Sequence, residues 1–305
     1  MKILYITENQ RTKQFPWLID YQNDSLLYGL KEHFGDDVVD CNKKFNLYSD
    51  YSDQDVATEY GKGFTFTRLL ESDNCDRDDI PKKIKNHYFD LVIYGSVWRN
   101  TDHLKLVQEH YKPWEIVFVD GEDSHELHPL VESEAIYCKR ECYMEKYQKY
   151  GDHVFKILPI QFSFPTKKVN HNIDKKERRI AHSDPRNRAT YVFDKEVDYY
   201  QDYQFSKYAF TTKKAGWDSL RHYEIMGNGC VPFFIHIADC PRYSMHRFPK
   251  ALATKFVYFN DNDPKWLDQN YEELRADLME HFLTFNTTKA NAKWFLKDVS
   301  LYKGQ

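Results

Sequence analysis

Glycine is scarce, at 11 residues in 305, and the loop after the first apolar segment, Glu8–Lys13 (ENQRTK), contains none. A G-x-G-x-x-G turn, which carries a pyrophosphate onto a helix N-terminus, is therefore missing where it would have to stand, and this excludes a nicotinamide or flavin enzyme of the usual kind. The six cysteines (Cys41, Cys75, Cys138, Cys142, Cys230, Cys240) form no C-x-x-C pair and no zinc-ligand spacing. Cys138 and Cys142 stand four apart and could share a helical face, but lack two further ligands nearby. All six read as reduced thiols in a reducing compartment. No apolar run approaches the roughly 20 residues that span a bilayer. The opening MKILYIT lacks the charged, apolar and small-residue regions of a secretory signal. The expectation is a soluble, cytoplasmic protein. No segment is of low complexity, and no repeat appears at solenoid periods.

What is abundant is aromatic: 23 Tyr and 21 Phe. Rings can stack on sugars or bases, yet most of these read as core and boundary packing. A chain of this length accommodates two domains of roughly 150 residues each. Charge is unevenly placed. Residues 1–155 hold 19 Lys+Arg against 29 Asp+Glu, residues 156–255 hold 18 against 10, and residues 256–305 hold 6 against 8. An acidic first half before a basic segment is what a phosphate-bearing ligand in the second half would favour, although plain solvated faces give the same asymmetry.

The pattern along the chain is α/β. Lys2–Thr7 reads as a buried parallel strand, Asn23–Phe34 as a helix closed by Gly35, and Asp37–Asp40 as a second strand, a βαβ opening that predicts a doubly wound sheet. Residues 42–88 read as helices and a surface insertion. Strands follow at Phe89–Tyr94, Ile116–Asp120, Ile136–Lys139 and Val154–Leu158, with helices at Asp102–Tyr111 and Glu141–Tyr150. After a crossing at Ile160–Phe164 the grammar restarts. Strands are expected at Arg179–His182, Lys207–Phe210, Cys230–Ile235 and Thr254–Phe259, with helices at Glu196–Asp202 and Ala215–Met226, the latter ended by Gly227–Asn228–Gly229. Two helices finish the chain, within Asp263–Phe285 and at Ala290–Val299. The expected architecture is two Rossmann-like lobes in tandem: 1–160 for the acceptor, 161–285 for a nucleotide donor, and a tail, 286–305, that packs back on the first lobe.

The stretch Lys213–Phe234 (KKAGWDSLRHYEIMGNGCVPFF) carries the chemistry. A helix starting at Gly216 would present free amides and its positive dipole end to an anion, with Lys213 and Lys214 adding charge for a diphosphate. Trp217, Arg221 and Glu224 would line one stripe, where Arg221 can grip a phosphate and Glu224 a ribose diol. An ordinary helix with a surface Arg–Glu pair is the alternative. Arg186 and Arg188, in the Ser183–Arg188 loop (SDPRNR) after a strand, are further donor ligands or else a solvated basic turn.

Arg221-x-x-Glu224 followed by Gly229-Cys230-x-Pro232-Phe233 resembles the donor-domain signature of two-lobed, GT-B-class nucleotide-sugar glycosyltransferases, of which the exostosin family is one version. Shorter pieces are similar to a bacterial and viral subgroup of family-one-like transferases: Asp20–Asp24 (DYQND), Val119–Asp123 (VDGED), Lys139–Glu141 (KRE) and Leu158–Ile160 (LPI). The resemblance implies that Glu224 binds the donor ribose and Arg221 the phosphates, with a UDP-sugar as the first donor to expect and no cofactor. It departs from the family in lacking the usual glycine-rich donor loop.

An acceptor hydroxyl needs a base, and Asp120–His125 (DGEDSH) offers Asp120, Glu122, Asp123 and His125 at a strand end. Asp120 or Asp123 is the expected base. Asp20 and Asp24 compete near the first loop, Asp24 also as a helix cap, and Trp98 and Arg99 are expected to line the acceptor pocket. A rival reading makes Asp120 and Glu122 a DxD-like motif holding Mg²⁺ or Mn²⁺ in a single-lobe transferase. The acceptor is expected to be a glycan or lipid-linked precursor, or hydroxymethylated bases of phage DNA, for which the basic second half is suited and the acidic first half is not. A non-catalytic module that senses nucleotide sugars is the alternative from another class.

Overall fold

The computed structural model describes residues 1–8, 10–71, 74–172 and 176–304. Its first half is built on six parallel strands: β1 (Ile3–Ile6), β2 (Val38–Asp40), β3 (Leu91–Tyr94), β4 (Ile116–Asp120), β5 (Ile136–Lys139) and β6 (Ile157–Pro159), in the order β2-β1-β3-β4-β5-β6. Strands reading ILYI, LVIY and IVFVD have no polar face because both faces are covered. Alternate residues divide between them. Ile3, Tyr5, Leu91, Ile93, Val117 and Val119 join one apolar core, and Leu4, Ile6, Val92, Tyr94, Ile116 and Phe118 another. The second face is closed by α3 (Ile80–Lys85) and α4 (Leu104–His110), which contribute Ile80, Ile84 and Val107.

Helix α1 (Tyr21–Phe34) covers the first face with Leu26, Leu27 and Leu30, all fully buried; each such side chain stabilises the fold by roughly 1.5–3 kcal/mol. Asp20 is its N-cap, accepting from the Asn23 amide at 3.2 Å, and Gly35 ends it with φ 53°. Asp24 is not the cap expected of it; it lies inside the first turn, fully buried, between Lys44 and Asn46.

The second half contains a smaller parallel sheet, β7 (Arg178–Ile180), β8 (Ser206–Thr211) and β9 (Val231–Phe234), in sequence order. Helices α5 (Glu196–Gln204) and α6 (Leu220–Gly227) follow β7 and β8, and α7 (Lys250–Asn262), α8 (Pro264–Phe285) and α9 (Thr288–Ser300) complete the chain after β9. Between β2 and α3 a short helix, α2 (Asp53–Thr58), belongs to a long excursion described below. The first core does not stop at the crossing: Ile160, Phe162 and Phe164 link it to Tyr208, Tyr223, Phe256, Leu278 and Phe295, so both sheets share one apolar interior. α9 packs against α1, and the Phe164 amide and carbonyl bond Asn286 O and Thr288 N at 2.9 and 2.8 Å.

Three elements differ from expectation. Thr254–Phe259 is part of helix α7, not a strand: its β-branched and aromatic residues bury Ala253 and Phe256 at helical spacing against the small sheet, and tertiary packing overrides propensity. The segment Glu141–Tyr150 forms tight turns rather than a helix, so Cys138, in β5, and Cys142, after it, share no helical face. Helix α6 begins at Leu220, not at Ala215, because residues 216–218 are pinned to the first half by contacts described next. No disulfide links the cysteines among the described residues.

Candidate active site

In a parallel sheet of this order, neighbouring strands leave for opposite faces between β1 and β3, and ligands bind outside the carboxyl ends at that point. Here that rim is polar and incompletely paired. The Asp20 carboxylate meets Arg99 Nε at 3.2 Å, and Arg99 stacks over the Phe15 ring at 4.5 Å. Arg99 Nη1 is buried without a hydrogen-bond partner among the described residues, as are both amide atoms of Gln22, a residue only 1% exposed. Gly121, after β4, lies against Gln22; a Cβ there would stand 2.8 Å from Gln22 Cβ. Beside it, the half-buried Glu122 carboxyl is pushed up by burial and then by the negative charges of Asp20 and Asp120, with Arg99 and Lys139 opposing.

The residues first expected to act as base are engaged. Asp120 is fully buried, held by Lys139 Nζ at 2.8 Å and Tyr137 OH at 2.5 Å. It cannot reach an acceptor without breaking a buried ion pair. Asp123 bonds Arg140, and His125 lies at the surface beside Glu126 at 3.2 Å. Among the described residues no group of three or more His, Cys, Asp or Glu is placed to hold a metal ion.

Across the joint, the carboxyl ends of β7 and β8 and the first turns of α6 bring Ser183, Arg221 and Glu224 together with a tyrosine cluster. Glu224 is 6% exposed and accepts from Tyr199 OH at 2.9 Å and Thr65 Oγ1 at 2.5 Å. No cation is within salt-bridge distance of it among the described residues; burial raises its carboxyl, and Thr65, Tyr199 and the Arg221 charge pull it down. Arg221 lies over the Tyr191 ring at 5.0 Å, and among the described residues neither its buried Nε nor the buried Ser183 hydroxyl has a hydrogen-bond partner. Buried donors without acceptors cost about 1–3 kcal/mol each, so such atoms mark where a ligand or ordered water completes the structure.

The other expected donor residues are placed differently. Gly216 is not at a helix start, and it lies against the first half: a Cβ on it would stand 2.6 Å from Glu141 Oε1 and 3.1 Å from Asp123 Oδ1. Trp217, also outside α6, is a core residue beside Phe234, its carbonyl 2.9 Å from His222 Nε2. Lys213 stacks on Trp217, and Lys214 bonds the Pro185 carbonyl at 3.1 Å. Arg186 pairs with Asp184 and covers the Phe210 ring at 4.0 Å, and Arg188 is exposed in a one-turn helix. Trp98 is 40% exposed, edge-on to His128.

The joint itself is a charged lock. Arg140, 2% exposed, donates to Gly121 O at 2.9 Å, Asp218 O at 2.7 Å and Asp123, and covers the Phe162 ring at 4.4 Å. Glu141 Oε1 accepts the Asp218 amide at 2.9 Å, and the Asp218 carboxylate takes Phe162 N and Tyr223 OH, both at 2.8 Å. Burial pushes the Asp218 carboxyl up to about 7, against the lowering effect of Arg140.

Sequence reasoning did not find Thr65, Tyr199 or the role of Gln22. For Thr65 a signal existed: two of the scarce glycines, Gly61 and Gly63, stand within three residues just before it. Searches of family models, curated proteins and solved structures found no match for the chain.

Proposed function

We propose that the protein is a two-lobed, GT-B-like glycosyltransferase, with the nucleoside diphosphate of the donor at Arg221, Ser183 and Glu224 and the acceptor at the rim of the first sheet. The observation that carries this reading is the buried pair of Arg221 Nε and Ser183 Oγ, both without a partner among the described residues, and a Glu224 carboxylate met there only by hydroxyls. Arg221 suits a phosphate, whose oxygens would complete its guanidinium, and Glu224 suits a ribose diol.

The rim of the first sheet fits a hydroxyl-rich ring. Carboxylates (Asp20, Glu122), an amide with both ends free (Gln22) and an exposed indole (Trp98) are groups that bond and stack on sugars. The same carboxylates repel a polyanion, which favours a glycan acceptor over DNA. In a direct displacement the acceptor oxygen bonds to the anomeric carbon and the bond from that carbon to the diphosphate breaks. Electrons leave with the phosphate, and the hydroxyl proton passes to Glu122. Glu122 replaces Asp120 and Asp123 in this role because its carboxylate accepts no hydrogen bond among the described residues, and burial raises its basicity.

A thermal-shift series with UDP, GDP, CMP, ADP and dTDP, with and without EDTA, tests the donor site. A ligand at 100 times its dissociation constant adds about 2.7 kcal/mol of stability. A shift with one or more nucleotides that is lost in Glu224→Ala supports the reading; no shift with any of them sinks it. A second reading, a nucleotide-sugar binding protein without transfer, draws on the engagement of Asp120 and Asp123 in ion pairs. Glu122→Gln separates the two: for a transferase it should retain nucleotide binding and lose about 10²–10⁴ in rate.

A further inference from the structure

The carboxylate of Glu224 is not open in this structure. A segment from the first half of the chain, residues 59–68, reaches across the joint and ends on it. Thr65 gives its hydroxyl to Glu224 at 2.5 Å and its amide to Glu196 at 2.5 Å, with Tyr200 OH 2.8 Å from the same hydroxyl. The segment holds this pose at the expense of its backbone. Gly61, Lys62, Gly63, Thr65 and Arg68 all have φ between 53° and 72°. Glycine tolerates that region; a β-branched threonine at φ 72° is strained and stays there only because its contacts hold it.

We propose that residues 61–65 form a removable plug, in which the Thr65 hydroxyl occupies the place on Glu224 that a ribose hydroxyl would take and must withdraw before a nucleotide can bind, while Phe66, fully buried in the shared core, stays as the fixed end. This rests on the donor-site reading above. Among the described residues two neutral hydroxyls satisfy Glu224, and a ribose offers the same chemistry, so exchange breaks no ion pair at that carboxylate. The outer anchor is weak: Lys62 reaches Phe193 O and Asp194 from the surface. The inner anchor is strong. The buried Glu59 carboxylate accepts from the amides of Leu18 and Ile19 at 3.0 and 3.2 Å and from Tyr51 OH at 2.6 Å. Leu18 and Ile19 lead directly into Asp20 and α1. The segment is thus tied at its inner end to the chain that forms the acceptor rim.

Thr65→Val keeps the shape and deletes the hydroxyl. Titration of wild type and variant with UDP, GDP and ADP, together with hydrogen exchange at residues 61–65, reads the plug directly. A plug predicts about tenfold tighter nucleotide binding in Thr65→Val, because a hydrogen bond to a charged group no longer competes. It also predicts faster exchange at 61–65 in the variant, and in wild type when nucleotide is added. Equal or weaker binding by the variant, where the wild type does bind, overturns the plug and leaves the donor site standing. If neither protein binds any nucleotide, the donor reading falls and exchange alone decides. Faster exchange in the variant supports a removable segment, and unchanged exchange overturns it. Lys62→Ala, which cuts only the surface anchor, gives the same readings with a smaller gain should Thr65→Val not fold.

Discussion

Gly216→Ala tests whether the joint between the two halves is packed as tightly as its contacts imply. The new methyl would stand 2.6 Å from Glu141 Oε1 and 2.8 Å from its Cδ. Ordinary separation requires the carboxylate to retreat by about 1 Å. Glu141 has nowhere to go: its side chain is 1% exposed, and Oε1 is held by the Asp218 amide at 2.9 Å and Arg140 at 3.4 Å. Overpacking of this kind costs about 1–3 kcal/mol, and a stretched charge-assisted hydrogen bond adds to it, so the expected loss is about 2–3 kcal/mol. Equilibrium urea unfolding measures it. In a Glu141→Ala background the close contact left is Asp123 Oδ1 at 3.1 Å, on a half-exposed side chain that can move aside, and the same substitution should cost less than about 0.5 kcal/mol, a coupling visible in a double-mutant cycle. A loss below about 0.5 kcal/mol in the wild-type background would refute the argument. If nucleotide affinity fell at the same time, Gly216 would be facing a ligand after all.

Arg140→Met removes the cation from the same joint and leaves Glu141 and Asp218 buried; the expected loss is about 3–5 kcal/mol by urea unfolding, and a neutral result would mean that the joint is not a lock. Asp120→Asn leaves Lys139 buried and unpaired, so it should destabilise by a similar amount, about 3–5 kcal/mol; a variant that folds with full stability and loses only rate would return Asp120 to the role of base. Asp218, held at about 7 by burial, keeps its proton to higher pH in the folded protein than in the unfolded chain. Its contribution favours folding below about pH 4 and fades as pH rises towards 7, so Asp218→Asn should flatten the pH dependence of stability across that window; an unchanged profile would place the carboxylate elsewhere. Arg221→Lys keeps the charge but loses the planar fork and the stacking on Tyr191, so nucleotide binding should weaken about tenfold in a calorimetric titration, with unfolding free energy within about 1 kcal/mol of wild type. Equal affinity would remove Arg221 from the site.

The large sheet was readable because its strands are short, mainly apolar runs, and β4 and β5 fall on their expected bounds. Helix α1 was readable for a similar local reason, an apolar stripe ended by Gly35. What was hidden depends on residues far apart in the chain. No local pattern says that Gly216 will meet Glu141, and that meeting is what delays the start of α6 to Leu220. The aromatic run in α7 reads as a strand until Phe256 is seen to pack on the small sheet. Asp120 looked like a base because it ends a strand beside other acids; its partner Lys139 ends the neighbouring strand, a pairing set by sheet order.

The basic second half was read as attraction for a phosphate, and the structure divides that charge in a telling way. Arg178 pairs with Asp202, Arg179 with Asp268, Arg186 with Asp184 and Arg247 with Asp298. These cations are engaged by carboxylates, and a net excess of +8 over residues 156–255 is therefore weak information about a ligand. Arg221 is different in kind. It is drawn below the surface by α6, it lies over the Tyr191 ring and lowers the Glu224 and Asp184 carboxyls from a distance, with no ion pair to either and no acceptor for its Nε among the described residues. Holding a guanidinium half out of water without an anion is costly unless the anion arrives with a ligand. The position of one incompletely paired cation, not the sum of many paired ones, is what points to the site.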